Sequence, residues 1–200
     1  MTLPTLFAFD LDGTVTTEEI LPAIARKAGL FQEISRLTRM TLDGELDFEA
    51  SFRKRFAMLR HVPLETVREV TASIPLDPDI RAFIAENTDR CAIVTGNLDR
   101  WIEPMVEKLG CAVWCSRSTF HNGQLFLDSI LDKGEAVRNM AGSRNRVIAI
   151  GDAANDIPMF EAADMGIAYG GIRNPVPGLL AAANRAEYDG RSLCALLRRL

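Results

Sequence analysis

The chain has 200 residues, a net charge of −4 and an ordinary composition, 48% hydrophobic and 25% charged. That length suits one α/β core with a modest insertion, or two small units, and the charge gives no reason to expect a nucleic-acid surface. The four cysteines (Cys91, Cys111, Cys115 and Cys194) lack paired C-x-x-C spacing, and only His61 and His121 could help complete a zinc set, so buried free thiols in a reducing compartment are expected. No basic leader and no apolar run long enough to cross a bilayer is visible, which predicts a soluble, cytoplasmic chain with no membrane partner.

The apolar stretch 3–9 predicts a buried strand that stops at Asp10-Leu11-Asp12-Gly13-Thr14. If that strand stays extended, period-two alternation puts Asp10 and Asp12 on one side. Thr16 followed by Glu19 fits a capping box for a helix ending near Gly29. Helices are then predicted over 31–40, over 48–59 with Asp47 as N-cap, and over 63–73. Residues 17–75 thus carry helices and no convincing strand, and Pro75 and Pro78 mark the return to the main body. Beyond them come a helix at 79–87, a strand at 91–94 ending in Thr95-Gly96-Asn97, and a helix at 99–109 closed by Gly110. A strand at 112–115 and a hairpin at 119–130 turning on Asn122-Gly123 follow. The pattern continues with a helix at 133–140, the clearest buried strand at 146–150, and a helix after Gly151-Asp152-Ala153-Ala154-Asn155-Asp156. A strand at 165–168, a helix at 176–183, a marginal edge strand at 185–188 and a closing helix at 192–200 complete it. The alternation predicts an α/β fold, a doubly wound (Rossmann-like) parallel-sheet core of residues 1–16 and 76–200, with a small helical cap, 17–75, inserted after the first strand.

Three predicted strands end in polar groups of one chemical theme. The first offers Asp10 and Asp12, the second Thr95 and the Gly96 amide, and the last Asp152, Asn155 and Asp156. Lys133 opens a helix between the second and the last. In a parallel sheet, ligands bind at the carboxyl ends of strands. Close carboxylates are costly unless a proton or a cation intervenes, and Mg²⁺ prefers such hard oxygen donors. Carboxylates for a metal, donors for an anion and a lysine together make the inventory for phosphoryl transfer.

On these motifs the sequence resembles the haloacid dehalogenase superfamily of phosphatases: Asp10-Leu11-Asp12-Gly13-Thr14, Thr95-Gly96, Lys133-Gly134, and Gly151-Asp152 with Asn155-Asp156. The resemblance implies that Asp10 is a nucleophile forming an aspartyl-phosphate and that Asp12 is the general acid and base. It implies phosphate binding by Thr95, Gly96, Lys133 and Asn155. It also implies a Mg²⁺ cofactor held by Asp10, Asp152, the backbone carbonyl of Asp12 and, directly or through water, Asp156. The stretch from Gly44 to Arg55 and the run from Gly151 to Phe160 are similar to the phosphoserine phosphatase-like subfamily. There Glu19 and Arg55 would grip the ammonium and carboxylate of the substrate, with Phe48 lining the pocket.

Local readings compete with those roles: Glu19 completes the capping box of Thr16, and Arg55 belongs to a basic run, Arg53-Lys54-Arg55, that suits a solvated helix face. The sequence also departs from the subfamily, which usually has Ser at Gly13, Ser-Gly-Gly at Thr95-Gly96-Asn97 and Met at Leu42. The expected function is a phosphomonoesterase for a small phosphorylated metabolite, L-phosphoserine first, acting as a monomer or homodimer. The alternatives are a phosphatase or phosphotransferase for another small ester, or a non-catalytic phosphometabolite-binding module.

Overall fold

The computed structural model describes residues 4–142 and 145–200. Strand β1 spans Thr5–Phe9; Leu3, expected at its start, lies outside the described residues. Four helices follow before any further strand: α1 (Ile20–Ala28), α2 (Phe31–Leu42), α3 (Phe48–Leu59) and α4 (Leu64–Ser73). The main body resumes with α5 (Pro78–Glu86), β2 (Cys91–Leu98), α6 (Asp99–Leu109), β3 (Ala112–His121) and β4 (Gln124–Ser129). It ends with α7 (Lys133–Ala141), β5 (Arg146–Gly151), α8 (Ile157–Ala162), β6 (Met165–Tyr169), α9 (Pro177–Ala182), β7 (Arg185–Glu187) and α10 (Gly190–Leu197).

The strands form one seven-stranded sheet in the order β4-β3-β2-β1-β5-β6-β7. Every pairing is parallel except the β3–β4 hairpin, so the core is a doubly wound α/β sheet with β1 at its centre. Alternation along β1 builds the two faces. Phe7 and Phe9 pack with Phe83 of α5, Trp101 of α6 and Leu193 of α10. Ala8 faces the other way, with Val137 of α7, Phe160 of α8 and Leu179 of α9. The chain winds outward from β1 in both directions, so the crevice at the carboxyl end of β1, between β2 and β5, is the topological switch point where such sheets bind ligands.

Side-chain caps fix where several helices begin. Asp47, Asp77, Asp132 and Asp189 each accept a hydrogen bond from an amide in the first turn of α3, α5, α7 and α10. Left-handed Gly29 and Gly110 end α1 and α6. The four-helix insert leaves and rejoins the sheet through a narrow neck. Thr17 N–H donates to Pro75 O at 3.0 Å, and Asp77 N–H donates to Val15 O at 2.8 Å.

Three expectations need correction. Thr16 and Glu19 form no capping box: Thr16 Oγ1 lies 2.8 Å from the Glu18 carbonyl oxygen, and the first free amide of α1, Ile20 N–H, donates to Asp12 Oδ1 at 2.8 Å. Strand β2 does not stop at Val94; it runs through Thr95-Gly96-Asn97 to Leu98, with a shift in its pairing to β3 between Thr95 and Leu98. The strand at 112–115 and the first arm of the hairpin are one strand, β3, which is parallel to β2 at its start and antiparallel to β4 at its end. The hairpin turn stands as expected, with Asn122 at φ +50° and Gly123 at φ +74°. The hairpin finishes the edge of the sheet and also reaches the insert, where Arg60 lies 5.4 Å from the Phe126 ring centroid.

The insert is fixed to the sheet by an aromatic joint. Trp101 of α6 is buried beneath Phe52 and Phe56 of α3, at ring-centroid distances of 6.4 and 6.0 Å. Trp101→Ala should therefore cost about 3–5 kcal/mol in urea unfolding, since the cavity would open at the joint. A loss below about 1 kcal/mol would show that the joint does not hold the two layers together.

Candidate active site

The site begins where β1 runs out of apolar residues. Asp10 N–H donates to Ile150 O at 2.8 Å, which keeps Asp10 in register with β5. The chain then leaves the extended form in a wide turn, Leu11–Val15, with Gly13 at φ +76°. Asp10 and Asp12 therefore do not share a face by strand alternation, yet both still line one pocket because the turn brings them there. The Asp10 carboxylate pairs with Lys133, the first residue of α7. Lys133 Nζ also donates to Asp156 Oδ1 at 2.6 Å, and all three side chains are buried. Asp156 Oδ2 accepts from the amides of Asp152 and Ala153, at 3.0 and 3.1 Å. The turn after β5 is thus folded around its own aspartate.

Asp10, Asp152 and Asp156 each offer an oxygen, and these atoms lie within 4.8 Å of one another. Burial first, then the neighbouring Asp156 and Asp152 charges, hold Asp10 well above the usual carboxylate range, against the pull of Lys133. Burial likewise pushes Asp152 up to about 8, opposed by Arg173. The charges of Asp10 and Asp156 raise Lys133 in spite of its burial. One oxygen of the cluster, Asp152 Oδ1, is buried with no hydrogen-bond partner. Hard carboxylate donors and an orphaned buried oxygen fit a hard divalent cation.

Asp12 faces a different part of the pocket. Its Oδ1 takes the Ile20 amide and its Oδ2 takes Asn97 Nδ2. Burial, then the charges of Glu19 and Asp10, raise it above the usual carboxylate range. Thr95 and Gly96 sit at the irregular end of β2, where a bulge re-aims the backbone. Gly96 has no room for a side chain, because an added Cβ would collide with the Phe48 ring. Asn155 lines the same pocket, and its Oδ1 is also buried without a partner.

The insert closes the pocket from above. Leu21, Thr41, Leu42, Phe48, Phe52 and Arg55 face it, leaving a cavity of about 40 Å³, room for a few waters. Arg55 is not part of a solvated face. Arg53 is exposed and pairs with Glu49, whereas Arg55 is buried, with Nη1 3.2 Å from Thr38 Oγ1 and Nη2 unpartnered. Burial lowers its affinity for its proton to a pKa of about 10, although the nearby Asp12 and Glu19 charges act the other way. Glu19 joins the site through an ion pair, its Oε1 lying 2.7 Å from Arg173 Nη2. All the sequence-predicted site residues are brought together, Lys133 and Asp156 through their contacts around Asp10, with Lys133 lining an adjoining pocket beside Phe48 and Asn155.

Two partners escaped the sequence. Asn97 was visible only as a departure from a pattern, and its contact with Asp12 spans 85 positions. Arg173, which holds both Asp152 and Glu19, carried no signal at all in Gly171-Ile172-Arg173-Asn174-Pro175.

Comparison with known proteins agrees with this arrangement. A family model described as haloacid dehalogenase-like hydrolase matches residues 7–161. The phosphoserine phosphatase of Methanocaldococcus jannaschii is 33% identical over 178 residues, 82% of this chain and 84% of its own length. Phosphoserine phosphatase SerB2 of Mycobacterium tuberculosis is 31% identical across 82% of this chain, which spans only 44% of that longer protein. A solved structure of a phospho-aspartyl intermediate analogue of phosphoserine phosphatase superposes with a TM-score of 0.84 at 30% identity, covering 98% of this chain and 99% of that one. The chain belongs to the haloacid dehalogenase-like hydrolases, as a phosphoric monoester hydrolase of the phosphoserine phosphatase-like group.

Proposed function

We propose that the chain is a Mg²⁺-dependent phosphatase for L-phosphoserine that works through an aspartyl-phosphate on Asp10. The observation that carries the substrate reading is Arg55: a buried guanidinium with an unpartnered Nη2, in the same pocket as Asp10 and Glu19. A fixed arginine reads a carboxylate and Glu19 reads an ammonium, so the two ends of an amino acid phosphate are complemented. Residues 1–16 and 76–200 form the catalytic core, and 17–75 form a cap that opens to admit substrate and closes to exclude bulk water.

In the first step an Asp10 oxygen attacks phosphorus while Asp12 gives its proton to the departing serine oxygen. The phosphorus–ester bond breaks and serine leaves. In the second step Asp12 takes a proton from water, the water oxygen attacks phosphorus, and the bond to Asp10 breaks to release phosphate. Thr95, the Gly96 amide, Asn155 and Lys133 hold the phosphoryl oxygens, and Phe48 lies along the substrate. Asp10, Asp152, the Asp12 carbonyl and, directly or through water, Asp156 would hold the Mg²⁺. When bound, the ion neutralises charge on the phosphoryl group.

On this reading the chain takes the last, hydrolytic step of making serine, in the cytoplasm, as a monomer or homodimer. In support, the cysteines are free, and among the described residues no helix is long and apolar enough to cross a membrane.

Phosphate release should be fast from L-phosphoserine with Mg²⁺, and absent with EDTA or in Asp10→Asn. Release from other small esters but not from phosphoserine would keep the chemistry and discard the substrate. Phosphate binding without release from any ester would mark a binding module. Asp12→Asn should lower kcat by about 10²–10⁴-fold with little change in KM. Arg55→Ala should raise KM for L-phosphoserine by roughly 10- to 100-fold, the worth of a charge-assisted contact; an unchanged KM would remove Arg55 from substrate recognition.

A further inference from the structure

Arg173 sits in the loop between β6 and α9 and does not line the pocket. It stands behind two residues that do. Its Nε donates to Asp152 Oδ2 at 2.9 Å, and its Nη2 donates both to that oxygen and to Glu19 Oε1, the latter at 2.7 Å. The three groups are largely withdrawn from solvent, with side-chain exposures of 29% for Arg173, 20% for Glu19 and 1% for Asp152. Gly13 makes the junction possible. An added Cβ there would strike Asp152 Oδ2 and come within 3.1 Å of Arg173 Nη2, and the φ of +76° disfavours any side chain.

The division of oxygens is informative. Arg173 occupies Oδ2 of Asp152 and leaves Oδ1 unpartnered, so its grip does not take the oxygen the cation site needs. It also occupies Oε1 of Glu19, which lines the pocket. Meanwhile Arg55 lines the same pocket as Glu19 and keeps an unpartnered Nη2. In a water-poor pocket, a free glutamate and an unpaired guanidinium that feel each other would pair.

We infer that Arg173 is a positioning residue for substrate specificity: it pins Glu19 to Asp152's side of the pocket, so that Glu19 and Arg55 stay apart and read the two ends of an amino acid phosphate separately. The inference rests on the phosphoserine reading above. Without Arg173, Glu19 turns to Arg55 and both poles of the reader are lost together; Asp152 loses a partner as well, a loss that falls on every phosphate ester alike.

The test compares L-phosphoserine with ethyl phosphate, which keeps the phosphate end and lacks both ammonium and carboxylate, at saturating Mg²⁺. Any change that Arg173→Ala makes through Asp152 is shared by both esters; beyond that shared change, KM for L-phosphoserine should rise roughly tenfold or more relative to ethyl phosphate. Arg173→Lys, which keeps the charge, should recover part of the loss. In a Glu19→Gln background, Arg173→Ala should add little to the difference between the two esters, because for that difference the pair acts as a unit. Equal losses on both esters, or a full further change in their difference in the Glu19→Gln background, would overturn the role assigned to Arg173 and leave the substrate reading standing. A wild-type protein that prefers ethyl phosphate would overturn the substrate reading, and Arg173's role with it.

Discussion

The buried ammonium of Lys133, held between Asp10 and Asp156, is the interaction on which the site depends. Three aspartates converge at the carboxyl ends of β1 and β5 because those strands are neighbours in the sheet. Alone, such a group would repel itself apart or take up protons. Lys133 relieves the repulsion from one side, because α7 starts where its first residue reaches both carboxylates. One oxygen of the group, Asp152 Oδ1, is left without a partner. Removing one partner from a buried ion pair is far more costly than replacing the whole pair, so this cluster tolerates little change.

The wider pocket follows the same electrostatic logic. Asp10, Asp12, Glu19, Asp152 and Asp156 face Lys133, Arg55 and Arg173, an excess of carboxylates that contributes to the upward shift of Asp10, Asp12 and Asp152. A divalent cation would balance the ionised set. The cap residues then divide the labour. Phe48 points the end of its ring at Gly96 and stacks on Phe52, and Arg55 comes down from α3, whose Phe52 also packs on Trp101.

Much of this was legible in the chain. The strands that carry Asp10 and Asp152 are buried on both faces, so they are continuous apolar runs that end abruptly at charged residues. The helical insert showed in the apolar stripe of α3 and in the Asp47 cap. What was hidden involves partners distant in sequence. Thr95-Gly96-Asn97 has the composition of a turn, yet it lies within a strand, where Asn97 Nδ2 donates to Asp12 and Ser116 donates to the Gly96 carbonyl. Glu19 follows Thr16 at capping-box spacing, but an arginine 154 positions away claims its carboxylate, and Asp12 takes over the helix cap. Local pattern cannot report such long-range competition, and that is where the reading of Glu19 as a cap failed.

The central claim is that phosphorus passes through a covalent bond to Asp10. The direct measurement is to mix the protein with Mg²⁺ and L-phosphoserine carrying radiolabelled phosphate, quench in acid during turnover, and map the label. The account predicts an acid-stable, hydroxylamine-sensitive phosphoryl group on the peptide containing Asp10, absent in Asp10→Asn. Turnover at full rate with no label on that peptide at any quench time, or with the label on another residue, would contradict it.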